Sequence, residues 1–130
     1  DAPLWHYSLD QAAEDVRALL DHLSIRQAVF VGLSMGGYIL FAFYRRYADR
    51  VKGLVLADTK AQADTPEGKE GRFQMAQTAY KKGPSAVADI MIPKLLSPQT
   101  IQTRPEIVHR VRMMIEGNQV SGIAGDLMAI

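Results

Sequence analysis

The chain has 130 residues, 48% apolar and 22% charged, with a net charge of +1; that balance suits a chain able to bury a core and excludes a mainly disordered polymer. It has no cysteine, which excludes disulfides, thiolate metal sites and a cysteine nucleophile. No basic run points to nucleic acid, and no apolar run approaches the roughly 20 residues of a membrane span.

The chain opens on Asp1 rather than Met, so it reads as a mature form, a fragment or an excised piece. The first element is an amphipathic helix from Ser8 to Leu23. Ser8 and Gln11 have the S-x-x-Q spacing of a capping box, in which hydroxyl and amide satisfy two free backbone N–H groups. Ala12, Val16, Leu19, Leu20 and Leu23 recur at helical spacing and make one apolar face. Asp10, Glu14 and Asp15 sit near the positive end of the helix dipole.

Ala28 to Leu33 is short, apolar on successive residues and rich in β-branched side chains. That pattern predicts a strand covered on both faces. Ser34 to Gly37 form a tight turn, and Tyr38 to Tyr47 a mostly buried helix with Arg45 and Arg46 near its negative end. Val51 to Ala57 is a second buried strand, ending at Asp58. Strand, helix and strand within about 30 residues make a βαβ unit with parallel strands.

After Asp58 the pattern changes. Lys60 to Arg72 is polar, with Pro66 and Gly68 as breakers. Helical patterns then run over about Glu70 to Lys82, Ser85 to Leu96, Pro105 to Glu116 and Val120 to Ile130. The expected fold class is α/β, a parallel-sheet βαβ piece followed by an all-helical layer. The expected division is 1–63 and 64–130.

One motif carries chemistry. Gly32-Leu33-Ser34-Met35-Gly36 is G-x-S-x-G, with Gly37 after it, and it lies where a strand passes into a helix. The glycines have a steric reason: strand and helix approach closely there, and side chains at 32 and 36 would collide. The turn lifts the Ser34 hydroxyl above the carboxyl end of the sheet, where ligands bind in open α/β folds. The Met35 N–H, at a helix start, is placed to meet an oxyanion formed on a carbonyl that Ser34 attacks. A serine also needs an imidazole base and an orienting carboxylate. The competing reading is a plain glycine-rich turn. A phosphate-binding loop would need G-x-x-x-x-G-K-[ST] or G-x-G-x-x-G, and neither is present.

From Tyr7 to Thr59 the sequence resembles the α/β-hydrolase superfamily: Tyr7-Ser8-Leu9 opening the helix, Glu14-Asp15 within it, Gly32 to Gly37, then Leu54-Val55-Leu56-Ala57-Asp58-Thr59. The resemblance implies that Ala28–Leu33 and Val51–Ala57 are the fifth and sixth strands and that the helical half is a cap. It places four strands before Asp1, and two more, with the usual acid and histidine, after Ile130. It implies a cofactor-free serine hydrolase, with no metal, acting on a small ester, lactone or related carbonyl compound through an acyl-enzyme on Ser34. Asp58 is a candidate acid, because some relatives place theirs at the end of this strand; its simpler role is to pin the following loop. Leu33, Met91 and Met113 are candidate substrate contacts, with Met75 and Met114 as further cap methionines. Packing serves these methionines equally well. His6, His22 and His109 do not stand where the family places its base, and Trp5, Tyr38, Tyr44 and Tyr47 read as packing residues.

Two interior-type strands without neighbours leave open edges and apolar surface. The chain is therefore expected to pair with the remainder of an enzyme or to self-associate, with no nucleic acid or membrane partner. The compartment is left open, with the cytoplasm favoured. The alternatives to an enzyme are an inactive, associating fragment and a hydrolase-fold receptor that keeps the serine but mainly binds ligand.

Overall fold

The computed structural model describes residues 7–130, so Trp5 and His6 lie outside the described residues. The described chain falls into two compact units. One is 7–64 with 129–130, and the other is 65–128.

The first unit runs α1 (Leu9–His22), β1 (Ala28–Leu33), α2 (Met35–Tyr47), a short 3-10 turn (Ala48–Arg50) and β2 (Val51–Ala57). Ser8 caps α1, its hydroxyl accepting from Gln11 N–H at 3.0 Å. The reciprocal half of the expected capping box is absent, because the Gln11 amide donates forward to Asp15 at 3.1 Å. The buried face of α1 is also turned from the expected one. Ala13 and Leu20 are buried, with Leu9 and Val16 packed beside them, whereas Leu19 and Leu23 are exposed. Positions 9, 13, 16 and 20 follow one helical stripe as well as the expected set does, and the partner helix selects between them.

That partner is α2. Phe43, fully buried, joins Ala13, Leu20 and Ala42 in the core. Its ring lies 5.0 Å from Phe30 of β1 and 5.3 Å from Tyr47, both tilted, the offset geometry that aromatic quadrupoles favour. Polar groups tie the rim of the same contact. Glu14 accepts from the Tyr47 hydroxyl, from Arg17 at 3.1 Å and from Arg46 at 2.7 Å. The Tyr47 and Arg17 hydrogen bonds hold its carboxyl below the ordinary 4.5. Arg50 joins Asp21 at 2.8 Å and donates to the carbonyls of Ile25 and Arg26, closing the turn before β1.

β1 and β2 pair in parallel, with Phe30 opposite Leu54, Val31 opposite Val55 and Leu33 opposite Ala57. Alternate side chains take opposite faces, except across a register shift at the start of the pair, where Ala28 faces Val51 and Val29 faces Gly53. Ala28, Phe30 and Val51 pack on the α1–α2 core. The other face carries Val29, Val31 and Leu33, at 62%, 72% and 66% exposure, with Val55 at 50%. Burial on both faces is thus not observed for these strands among the described residues: helices cover one face, and the second is bare apolar surface.

The second unit is helical: α3 (Pro66–Leu95), α4 (Pro98–Thr103), α5 (Pro105–Glu116) and α6 (Val120–Ala129). Its buried side chains include Ala76, Ala79, Val87, Ala88, Ile92 and Ala124. α3 bends at Gly83, whose φ of 79° and ψ of 176° are not helical; only glycine adopts such a backbone easily. The two segments on either side match the two helices expected there. Arg112 of α5 bonds Asp89 at 2.6 Å and Glu116 at 3.1 Å. Asp126 on α6 is raised above its ordinary 3.8 by burial.

Candidate active site

Ser34 stands between the last residue of β1 and the first of α2, with φ 51° and ψ −112°. A non-glycine residue held at positive φ costs on the order of 1–3 kcal/mol, and its surroundings must over-determine it. Here they do. Ser34 N–H donates to Ala57 O at 2.9 Å, extending the parallel ladder by one step. The Ser34 carbonyl accepts from Gly37 N–H at 3.0 Å and from the Thr59 hydroxyl at 2.8 Å. The residue is exposed, and its own hydroxyl bonds to no described residue. No base therefore lies within hydrogen-bond reach of Ser34 among the described residues.

The glycines divide the work unevenly. A Cβ at Gly32 would stand 2.7 Å from the carbonyl carbon and oxygen of Gly36. A Cβ at Gly37 would stand 2.7 Å from Thr59 Cβ. At Gly36 itself a Cβ would meet nothing within 4 Å. The expected collision between positions 32 and 36 is therefore one-sided: the backbone of Gly36, with Leu40 Cδ1 equally close, excludes a side chain at 32.

Helix α2 begins at Met35, directly after the serine. The first N–H groups of a helix lack intrahelical acceptors, so Met35 N–H is a donor next to the Ser34 hydroxyl. Asp58 follows the end of β2, beside Ser34 in the sheet, and also has positive φ, 44°. It is exposed and makes no hydrogen bond or ion pair with a described residue.

Leu33 ends β1 on the bare face, 66% exposed. Met91, half-buried on α3, and Met113, exposed on α5, belong to the helical unit. His22 and His109 are exposed on α1 and α5. A concavity of about 290 Å³ in the first unit is lined by Leu9, Tyr38, Phe41, Ala42, Arg45, the 60–64 loop and Ile130. Ser34 does not line it. Among the described residues no cluster of three or more His, Asp or Glu is arranged to hold a metal.

Thr59 is the residue that sequence reasoning passed over. It stood at the end of a family-like string, with no sign of a role. Its hydroxyl reaches Ser34 only because the strand register brings residues 25 positions apart to adjacent strand ends.

The family model for the alpha/beta hydrolase fold matches residues 1–96. The chain belongs to the alpha/beta-hydrolase family. This hydrolase chain is 30% identical over 122 residues to 3-oxoadipate enol-lactonase 2 of Acinetobacter baylyi, covering 94% of itself and 45% of that protein. Among solved structures it resembles a thermophilic esterase from Thermogutta terrifontis, with 38% identity and a TM-score of 0.89, over 96% of this chain and 46% of the esterase. It also resembles the enol-lactonase of Burkholderia xenovorans, with 32% identity and a TM-score of 0.89, over 100% of this chain and 49% of that one. The hydrolase chain thus spans about half the length of these relatives.

Proposed function

We propose that this chain supplies the nucleophile and one oxyanion donor of a serine hydrolase for small esters or lactones. The observation that carries the reading is Ser34: exposed, at φ 51°, between the end of a strand and the start of a helix. The esterase and enol-lactonase relatives support the substrate class. In this reading Ser34 Oγ attacks the substrate carbonyl while an imidazole takes its proton. Met35 N–H receives the oxyanion, the alcohol leaves with the proton, and water releases the acid from the acyl-enzyme.

The base comes from polypeptide outside residues 7–130, since none stands within reach of Ser34 here. The same polypeptide, the remainder of a hydrolase fold, covers the Val29–Val31–Leu33–Val55 face and pairs the outer strand edges. Two facts support this: parallel strands are normally buried on both faces, and the relatives are about twice as long. Self-association is what the face does when that partner is withheld. Asp58 stays a candidate acid, supported by its place beside Ser34, and Met91 and Met113 stay candidate acyl contacts. No helix of the described residues is long and apolar enough to cross a membrane.

A fluorophosphonate probe tests the reading. The Ser34 oxygen bonds phosphorus, fluoride leaves, and the serine proton passes to the base. Peptide mapping is expected to find the label on Ser34 of the complete protein, none in Ser34→Ala, and little or none on residues 1–130 alone. Labelling that persists in Ser34→Ala overturns it.

A further inference from the structure

We propose that Thr59 is a positioning residue that aims the Met35 N–H; the inference rests on Ser34 being the nucleophile. The peptide joining Ser34 to Met35 is one rigid plane. Its carbonyl oxygen belongs to Ser34 and its N–H to Met35, and in a trans peptide they point in opposite directions. Whatever fixes the carbonyl therefore fixes the N–H.

Two donors fix that carbonyl. Gly37 N–H approaches at 3.0 Å from within the first turn of α2. It moves with the helix and cannot by itself set the plane relative to the sheet. Thr59 Oγ1, at 2.8 Å, comes from the chain leaving β2. It ties the peptide to the neighbouring strand, and with both donors in place the two lone pairs of the carbonyl are occupied. The Met35 N–H is thereby turned away from the Thr59 side. The Ser34 N–H bond to Ala57 O, at 2.9 Å, anchors the preceding peptide to the same strand. Nucleophile and donor are thus referenced to one rigid neighbour.

Packing supports the assignment. Thr59 is held in place by its contact with Gly37, where even a Cβ would stand 2.7 Å from Thr59 Cβ. A β-branched side chain has few rotamers to choose from, so the hydroxyl is preset toward the carbonyl. Valine has the same shape and lacks the donor, while serine keeps the donor and loses a methyl group.

The test compares Thr59→Val and Thr59→Ser in the complete protein with a fluorophosphonate probe, together with the amide resonance of Met35. Thr59→Val is expected to slow covalent capture at saturating probe by about tenfold or more, less than the hundred- to thousandfold of removing a donor outright. The probe concentration for half-saturation stays put, and the Met35 amide resonance moves. Thr59→Ser is expected to keep both the rate, within a few fold, and the resonance. Capture by Thr59→Val at the parent rate overturns the proposal, as does equal slowing in both variants, which would mark a packing role. If the parent takes no label at Ser34, the nucleophile reading fails. The Met35 amide still decides the positioning: an unmoved resonance in Thr59→Val refutes it.

Discussion

Replacing either glycine of the G-x-S-x-G motif by alanine separates two residues that the motif treats as equals. At Gly32 the new Cβ would stand 2.7 Å from the carbonyl carbon and oxygen of Gly36, and ordinary contact begins at 3.4 Å, so the first turn of α2 must recede by about 0.7 Å. That turn cannot recede alone. Its Gly37 N–H holds the Ser34 carbonyl, and Ser34 is itself tied to Ala57 and Thr59. Overpacking of this kind costs about 1–3 kcal/mol, and rigid backbone on the receiving side puts Gly32→Ala at the upper end, about 2–3 kcal/mol. At Gly36 the Cβ meets open space at an ordinary helical position, where alanine is favoured by roughly 0.5–1 kcal/mol. Calorimetric melting at neutral pH reads the contrast. At about 4 °C per kcal/mol for a chain of this size, Gly32→Ala should melt about 8–12 °C lower and Gly36→Ala slightly higher than the parent. Equal melting of the two variants, or destabilisation by Gly36→Ala of more than about 1 kcal/mol, would refute the assignment of the clash to the Gly36 backbone.

Other perturbations address the helix clamp and the bare sheet. Glu14 and Asp21 have carboxyls held below their ordinary 4.5 and 3.8, by Tyr47 and Arg17 in the first case and by Arg50 in the second. A depressed carboxyl stabilises the fold above its unfolded value, and that contribution is lost as pH falls through the folded one. Melting temperature should therefore drop below about pH 4.5, and Glu14→Gln with Asp21→Asn should flatten that drop; an unchanged acid limb would refute the linkage. Asp126, raised by burial, acts in the opposite sense, so Asp126→Asn should raise stability at neutral pH, read by the same melts. Val31→Lys places a charge in the middle of the bare face, at a side chain 72% exposed. Light scattering of residues 1–130 should find the parent associated and Val31→Lys shifted toward monomer. A monomeric parent would refute self-association through this face.

The residues differ in how plainly they announced their places. β1 and β2 are legible to the residue, because mainly apolar runs of six and seven, each with two valines, end just before Ser34 and Asp58 and have no competing helical period. The helix starts were less so. Thr65 caps α3, accepting from Gly68 N–H at 3.2 Å with Pro66 in the first turn; proline there opens a helix, although in the sequence it resembles a breaker. α4 has no counterpart in the sequence pattern because of its length. Ser97 caps it, accepting from Thr100 N–H at 3.1 Å ahead of a six-residue helix too short to show a period. Burial is legible only where a described element supplies the cover: Val29, Val31 and Leu33 have the composition of interior residues, but no described element covers them. Of the candidate site, Ser34, Met35 and the glycines were readable from one contiguous motif, whereas Thr59 depended on strand register, which no local pattern encodes.

The pairing of Leu33 with Ala57 gives the second strand a constraint that its composition does not reveal. The ladder already takes up one extra residue at its start, where Ala28 faces Val51 and Val29 faces Gly53. From Val29 to Leu33 the pairing is regular, so a deletion or insertion between Gly53 and Ala57 must form a new bulge or slip the register that sets Thr59 beside Ser34. Hydrophobic substitutions in that stretch change how well it packs; a change of length acts instead on the contact beyond its end. The spacing from Gly53 to Thr59 is thus a second condition on the bond from Thr59 to the Ser34 carbonyl, one that a motif search does not record.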